Sequence, residues 1–301
     1  MRGDVEQALQ LIKADQPSSV DQALRLLQNT VYSFSMKVCG HPQDAEDTMQ
    51  DVLLKSLPYL PKFDNAQALS VWLYKVARNR CLMKRRGQKF SPNVNVSLEE
   101  LMPDGHEFGE LMDNSQPDPE SEVLKNEASD RLHQAVSRIP PHYRFVLVLH
   151  DMEGLSTAEV AKVTGLREGT VRVRLHRARL TLRRELSRAG KQAMPMESKP
   201  SQPRKPKRCR ELFAALSDYL DGVVDEDICE RMQTHLSDCK PCEAFLANLE
   251  SVVKRCRSLD VKCPPEKAAA MRQELLKSYD RAKRKLLKRA LSGQAKEAVV
   301  A

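Results

Sequence analysis

An all-α fold made of several small helical domains is predicted by three observations. Apolar residues recur at three- and four-residue steps through each segment between Pro and Gly breakers. Almost no stretch shows the strict alternation of a half-buried strand, and aromatic residues are 5% of the 301 against 30% charged. A prior of ~100 to 200 residues per domain suggests about two domains. Breakers and composition shifts instead mark three folded candidates, residues 15–90, 121–189 and 209–259, with linkers at 91–120 and 190–208 and a basic helical tail at 260–301. No run approaches the ~20 apolar residues of a membrane span. The opening MRGDVEQALQ lacks a signal peptide's apolar core, so no membrane association and a cytoplasmic location are expected.

The net charge of +8 is unevenly placed: residues 1–90 carry +4, 91–130 carry −10, 131–190 carry +7 and 191–210 carry +6. Two basic blocks on helical patterns, separated by an acidic one, point to a polyanionic partner; each block alone could be a solvated helix face.

In the first domain Ala23, Leu24, Leu27, Val31 and Phe34 form one helical stripe, Val52, Leu53 and Leu57 a second, and Val71, Leu73, Val76 and Ala77 a third. Pro42 stands where a new helix would begin after Cys39-Gly40, and Pro58 and Pro61 stop it. In HPQDAEDTMQDVLLKSL, Asp44, Asp47 and Asp51 share a face, with Glu46 and Gln50 on the adjacent one. Acids in a first turn suit the helix dipole, and so many together also suit docking of a basic partner protein. The following FDNAQALSVWLYKVARNRCLMKRRGQK holds Phe63, Trp72 and Tyr74, then Lys75, Arg78, Asn79, Arg80, Lys84, Arg85 and Arg86, with no acid from Val71 to Lys89. Core packing claims some of these aromatics. Cations that neutralise phosphates beside rings that stack on bases nevertheless fit single-stranded or melting DNA.

The linker at 91–120 is rich in Pro, Asn, Asp and Glu, with a short helix expected near Leu98 to Leu101. In the second domain Pro140 and Pro141 open a helix that ends at Glu153-Gly154. Ser156 and Glu159 have capping-box spacing for the next helix, and Gly165 permits a tight turn before a last helix from about Arg167 to Leu186. There Val171, Leu175, Ala178 and Leu182 form the buried stripe, and Arg167, Thr170, Arg172, Arg174, Arg177, Arg179, Arg183 and Arg184 lie on the opposite faces. This is the pattern of a DNA-binding helix-turn-helix, in which Arg167, Thr170, Arg172, Arg174 and Arg177 would contact DNA, the earliest of them at base edges.

Eight cysteines in a chain without an export signal favour metal binding or free thiols over disulfides. His235, Cys239 and Cys242 have zinc-ligand spacing, and either Cys209 or Cys229 could supply the fourth ligand. The segment 190–208, with four prolines in GKQAMPMESKPSQPRKPKR, reads as a disordered linker. KAAAMRQELLKSYDRAKRKLLKRALSGQ reads as a basic amphipathic helix that packs on a neighbour, with contact to a membrane surface or to nucleic acid as the alternative.

The order DAEDTMQDV, WLYKVARNR with its basic tail, an acidic linker, and IPPHYRFVLVLHDMEGLSTAEVAKVTGLREGTVRVRLHRAR resembles the extracytoplasmic-function class of bacterial sigma factors over roughly residues 15 to 188. The resemblance implies a sigma region 2 domain and a region 4 helix-turn-helix domain. Asp44, Glu46, Asp47, Gln50 and Asp51 would dock on core RNA polymerase. Phe63 to Lys89 would melt and capture the -10 element of promoter DNA, and the helix-turn-helix would read the -35 element. Such factors do no covalent chemistry. Consistent with that, the chain has no Gly-rich phosphate loop, nucleophile elbow or two-metal acid cluster.

Residues 209 to 242 resemble the small zinc-finger anti-sigma domain, with a first Cys, Leu216 to Gly222, and His235 to Cys242. That resemblance selects Cys209, His235, Cys239 and Cys242 as ligands of one Zn2+. In that family the domain usually belongs to a separate protein that blocks a sigma factor. Fused here, it is expected, with or without the helix from about Glu266 to Leu291, to contact the sigma domains and modulate activity. The alternative is a zinc ion that only stabilises a small domain. The competing reading is a stand-alone helix-turn-helix regulator with a zinc-stabilised partner-binding domain.

Overall fold

The computed structural model describes residues 2–14, 16–86, 101, 122–190 and 207–291. Apart from Leu101 and the ends of the second linker, the two linkers lie outside the described residues. In chain order the helices are α1 (Arg2–Ala14), α2 (Pro17–Cys39), α3 (Pro42–Ser56), α4 (Ala66–Arg86), α5 (Glu122–Arg138), α6 (Pro141–Leu147), α7 (Thr157–Thr164), α8 (Glu168–Gly190), α9 (Lys207–Leu220), α10 (Glu226–Asp238), α11 (Lys240–Ser258) and α12 (Pro265–Leu291). One 3-10 turn covers Leu60–Lys62 and one π turn Val148–Met152. No strand occurs among the described residues, as the apolar periodicity predicts. The chain divides into two compact units, residues 1–89 with 260–301, and residues 90–259.

The first unit is a helical bundle built on α2, whose Ala23, Leu24, Leu27, Val31 and Phe34 are buried as predicted. Val52, Leu53 and Leu57 of α3 and its flank are buried as well. Burying each such side chain contributes roughly 1.5 to 3 kcal/mol. Gly40 adopts φ 76° and ends α2, its amide donating to the Met36 carbonyl at 2.9 Å, and Pro42 then opens α3. α4 is turned slightly from the expected register. Its inward face runs Leu69, Leu73 and Ala77, while Val71, Trp72 and Val76 are half-buried at the edge. α1 lies ahead of the expected start of the domain at residue 15, and its Val5, Ala8, Leu9 and Ile12 are buried.

Residues 260–301, expected as a tail, belong to this unit. α12 lies against α2 and α3. It buries Ala268, Leu275 and Tyr279, spaced by seven and four, and Gln28 donates to the Ala268 carbonyl at 3.2 Å.

In the second unit, Arg144 is buried near the start of α6 and donates to the Ile139 carbonyl at 2.9 Å and to the Ser137 carbonyl. It thereby satisfies acceptors that the end of α5 leaves open. α6 runs on into the π turn, closed by Glu153 N–H donating to the Val148 carbonyl at 2.9 Å. The predicted capping box on α7 is present: Glu159 N–H donates to Ser156 Oγ at 3.3 Å and Ser156 N–H donates to the Glu159 carboxylate at 2.7 Å. Gly165, at φ 71°, makes the turn into α8. On α8 the stripe Val171, Leu175, Ala178 and Leu182 is buried.

α8 has a second buried face, which the periodicity did not predict. Leu180 joins Leu212, Phe213, Leu216, Met232, Phe245 and Leu249 of α9, α10 and α11 in one core cluster, and Leu101 packs there too. Arg179, fully buried, donates to Asp151 of the π turn at 2.8 and 2.6 Å and to Asp221, just after α9, at 3.0 and 2.8 Å. Burial opposes charge on both partners. The hydrogen bonds and opposite charges nonetheless leave Asp151 below the usual carboxylate range and Arg179 more firmly protonated than an ordinary arginine. Arg183 lies over the Phe245 ring, 4.5 Å from its centroid. Arg179 and Arg183 are therefore packing residues, although the sequence pattern placed them on the DNA-facing side.

His176 Nδ1 meets Ser217 Oγ of α9 at 2.9 Å, and its ring lies 5.8 Å from that of Phe213. Burial first, then the charges of Arg179 and Arg177, push its pKa from 6.5 down to about 4.

Replacing Ser156 by Ala removes the cap of α7 and should cost about 1 kcal/mol, read as a lower denaturation midpoint of the second unit. His176 makes the packing of α9 on α8 pH-dependent. A released His176 binds a proton at its ordinary pKa of 6.5 and the packed one only near 4. The contact is therefore at full strength above pH 6.5 and weakens by about 1.4 kcal/mol per unit as pH falls towards 4. Hydrogen exchange over residues 207–220, corrected for intrinsic rates, should accelerate between pH 7 and 5 in the parent and not in His176→Gln.

Candidate functional site

Three surfaces and one side-chain cluster carry the chemistry expected from the sequence. The first surface is the acidic side of α3, where burying Ala45, Met49, Val52 and Leu53 turns the carboxylates outward. Asp47 is exposed, and Asp44, Glu46, Gln50 and Asp51 are half-buried. Glu46 pairs with Lys267 of α12, and Gln50 donates to Glu274 of α12 at 3.1 Å. Alongside, Arg272 meets Asp21 of α2 at 3.4 Å. Asp51 pairs with Arg80 of α4, which joins one residue expected to bind protein with one expected to bind DNA. That α12 lies on this surface was not legible beforehand, because the packing of an amphipathic helix on a neighbour does not name the neighbour.

The second surface is the aromatic and basic side of α4. Phe63 and Trp72 are half-buried with ring centroids 6.0 Å apart. Tyr59, 47% exposed, stands 6.2 Å from Trp72, with the Lys62 ammonium 5.8 Å from the Tyr59 ring centre. Sequence reasoning passed over Tyr59 and Lys62, which sit among the prolines that end α3. Lys75 and Asn79 are exposed, and Arg78 donates to Asn79 at 3.4 Å. Tyr74 does not belong to this surface. It is buried, 4% exposed, with its ring 4.8 Å from Phe34, so no base can stack on it here. Its spacing from Trp72 is two residues, which on a helix points the two rings to different sides. Lys84, Arg85 and Arg86 lie on the last turn of α4, and their side chains are outside the described set.

The third surface is the start of α8. Arg167 and Thr170 are exposed, and Arg172, Arg174 and Arg177 are half-buried. Arg177 donates to the Tyr143 hydroxyl at 3.3 Å. Burial, then the charges of Arg174 and Arg177, lower the pKa of the neighbouring His142. Two exposed and three partly accessible groups at a helix start can meet base edges and phosphates together.

The cluster is Cys209, His235, Cys239 and Cys242, whose ligand atoms all lie within 4.8 Å of one another. Cys209 comes from the first turn of α9 and His235 from the last turn of α10. Cys239 sits at the junction of α10 and α11, and Cys242 in the first turn of α11. Asp225 caps the start of α10, accepting from Ile228 N–H at 2.9 Å. Cys209 Sγ and His235 Nε2 are 3.6 Å apart. A tetrahedral ion with ordinary sulfur and nitrogen bond lengths spaces such a pair by about 3.5 Å. The group can thus hold a metal ion. Cys229 is directed elsewhere, accepting from Gln233 at 3.6 Å. Leu212, Phe213, Met232 and Phe245 back the cluster with apolar surface.

The expectation of metal-bound or free thiols in place of disulfides does not hold for two of the cysteines. Cys39 and Cys81 are joined by a disulfide in the first unit. Their separation of 42 residues gave no local signal of proximity. Among the described residues no helix is long and apolar enough to cross a membrane.

Comparison with known proteins assigns families to all three predicted domains. Residues 23–91 match sigma-70 region 2, residues 129–182 match sigma-70 region 4, and residues 209–242 match a family described as a putative zinc-finger. The ECF RNA polymerase sigma factor SigW of Bacillus subtilis is 28% identical over 177 residues, covering 59% of this chain and 93% of that protein. The ECF RNA polymerase sigma factor SigL of Mycobacterium tuberculosis is 31% identical over 163 residues, covering 53% of this chain and 84% of SigL. The region 2 match disfavours a stand-alone helix-turn-helix regulator, since it claims the first domain as well as the second. The two sigma-70 regions, in this order and across most of those relatives' length, make this chain a member of the ECF RNA polymerase sigma factor family.

Proposed function

We propose that the chain directs core RNA polymerase to promoter DNA and that its own C-terminal segment holds it in check. Polymerase docks on Asp44, Glu46, Asp47, Gln50 and Asp51 of α3. Phe63 and Trp72, joined by Tyr59, stack on bases freed from the -10 element, while Lys75, Arg78, Arg80, Lys84, Arg85 and Arg86 follow the phosphates and Asn79 offers hydrogen bonds. Arg167, Thr170, Arg172, Arg174 and Arg177 contact the -35 element. The chain performs no covalent step, and it works in the cytoplasm, where polymerase is found.

The observation that carries self-inhibition is the hold of α12 on α3. Lys267 pairs with Glu46, and Glu274 accepts from Gln50, so two of the five docking residues are engaged by the chain itself. A basic partner approaching α3 has to displace a helix that already presents Lys267. The third domain supports the same reading through α8, since Asp218 of α9 interacts electrostatically with Arg172, one of the residues assigned to the -35 element. One zinc ion on Cys209, His235, Cys239 and Cys242 fastens the meeting ends of α9, α10 and α11. A domain of this size needs such a staple.

In transcription with core polymerase, a chain lacking residues 260–301, which removes α12 and leaves the second unit intact, should initiate from a cognate promoter severalfold better than the full chain. Lys267→Glu in the full chain, which sets like charges against each other, should move in the same direction. Equal yields from all three would remove self-inhibition and leave promoter-directed initiation standing. No initiation by any of them would remove the sigma reading itself. Cys239→Ser should lower bound zinc below one per chain and unfold residues 207–258 while the first unit keeps its melting transition. Undiminished tight zinc binding by that variant would show that the ligand set is wrong.

A further inference from the structure

The Cys39–Cys81 pair is buried in the first unit and includes none of the residues assigned to the surfaces above. Cys39 is the last residue of α2, ahead of the turn at Gly40, and Cys81 faces it from α4. Their Cα atoms are 6.0 Å apart, an ordinary spacing for bridged cysteines, so closing or opening the bond requires no movement of the backbone. The residues are 9% and 1% exposed, and the Cys81 sulfur lies 3.9 Å from the Thr48 hydroxyl of α3. As thiols both would remain acceptable in the core, where cysteine behaves as a small apolar residue. The bridge spans 42 positions that include all of α3, so it staples α2 to α4 around that helix.

We propose that Cys39 and Cys81 form a reversible dithiol–disulfide site, oxidised by hydrogen peroxide and reduced by low-molecular-weight thiols, independent of the metal-ligand cysteines. The oxidation balances as two thiols and one peroxide giving one disulfide and two waters. Cys39, the more accessible sulfur, attacks the peroxide O–O bond as its thiolate, expels hydroxide and becomes a sulfenic acid. The Cys81 thiol then attacks that sulfur, the S–O bond breaks, and the released oxygen leaves as water after proton transfer. Reduction takes two small thiols, which are oxidised to their own disulfide as the two protein thiols return. The oxidised form restricts the unfolded chain across the loop that contains α3 and so makes the first unit harder to melt.

The test uses the full chain in its folded state, treated with peroxide or with dithiothreitol and then alkylated, with peptide mass mapping of each cysteine. Cys39 and Cys81 should become protected together under peroxide, linked to each other, and both should return to alkylation after dithiothreitol. Metal content is measured in parallel, because the cluster thiols respond to oxidant separately. Trp72 is the single tryptophan and lies in α4, so its fluorescence reports melting of the first unit. The oxidised chain should melt at least about 4 °C above the reduced one, and Cys39→Ser and Cys81→Ser should abolish that difference. Three results would overturn the proposal: alkylation of both residues after peroxide, linkage of either to another cysteine, or a bond that dithiothreitol cannot open in the folded chain. Thiol mapping of the unsubstituted protein decides the matter even if both variants fail to fold.

Discussion

A guanidinium withdrawn from water has to be met by opposite charge, and the second unit is arranged around one that is. Arg179 is buried in the middle of α8 and binds Asp151 from the helix-turn-helix side and Asp221 from the zinc-finger side. Removing one partner from such a pair typically costs about 3 to 5 kcal/mol, because the other charge is left buried and unanswered. The π turn at Val148–Met152 carries Asp151, and the end of α9 leads to Asp221. Two features that look local are therefore tied to one side chain. The apolar cluster around Leu180 and Phe213 closes over the same stretch of α8 and shields it from water.

α8 consequently does two jobs along its length. Its start leaves Arg167 and Thr170 in solvent, whereas its middle gives His176, Arg179 and Arg183 to packing. A run of arginines that reads as one basic stripe is partitioned by burial into groups that can meet phosphate and groups already committed. In the first unit α3 is divided in a similar way. Its apolar side holds the bundle together, while on its polar side Glu46 and Gln50 engage α12 and Asp51 engages Arg80. Polar residues on this side of α3 thus have partners within the chain, and any ligand meeting them there has to exchange with those partners.

Much of this was readable residue by residue. The stripe of α2, the break at Gly40 and Pro42, the capping box at Ser156 and Glu159, and the turn at Gly165 depend on neighbours within a few positions, where helix geometry is fixed. The Cys and His cluster was readable for the same reason, since three of its four members fall within eight residues at helix ends. Cys209 lies 26 positions from His235, and choosing it over Cys229 rested on family likeness until the fold brought its sulfur to the imidazole. Tyr74 was misplaced because composition counts an aromatic ring without saying which side of α4 it occupies.

The amino-acid sequence by itself determined the helical class, the order of the domains, the basic and acidic segments and the family they belong to. These follow from 3.6-residue periodicity, local capping and short motifs. The tertiary structure alone decided which arginines of α8 are spent on packing, that α12 returns to cover α3, that α1 completes the first bundle, and that Cys39 meets Cys81. Each of these joins residues far apart in the chain, or distinguishes two sides of one helix. They depend on burial of apolar surface and on pairing of buried charge, which exist only once separate helices have come together.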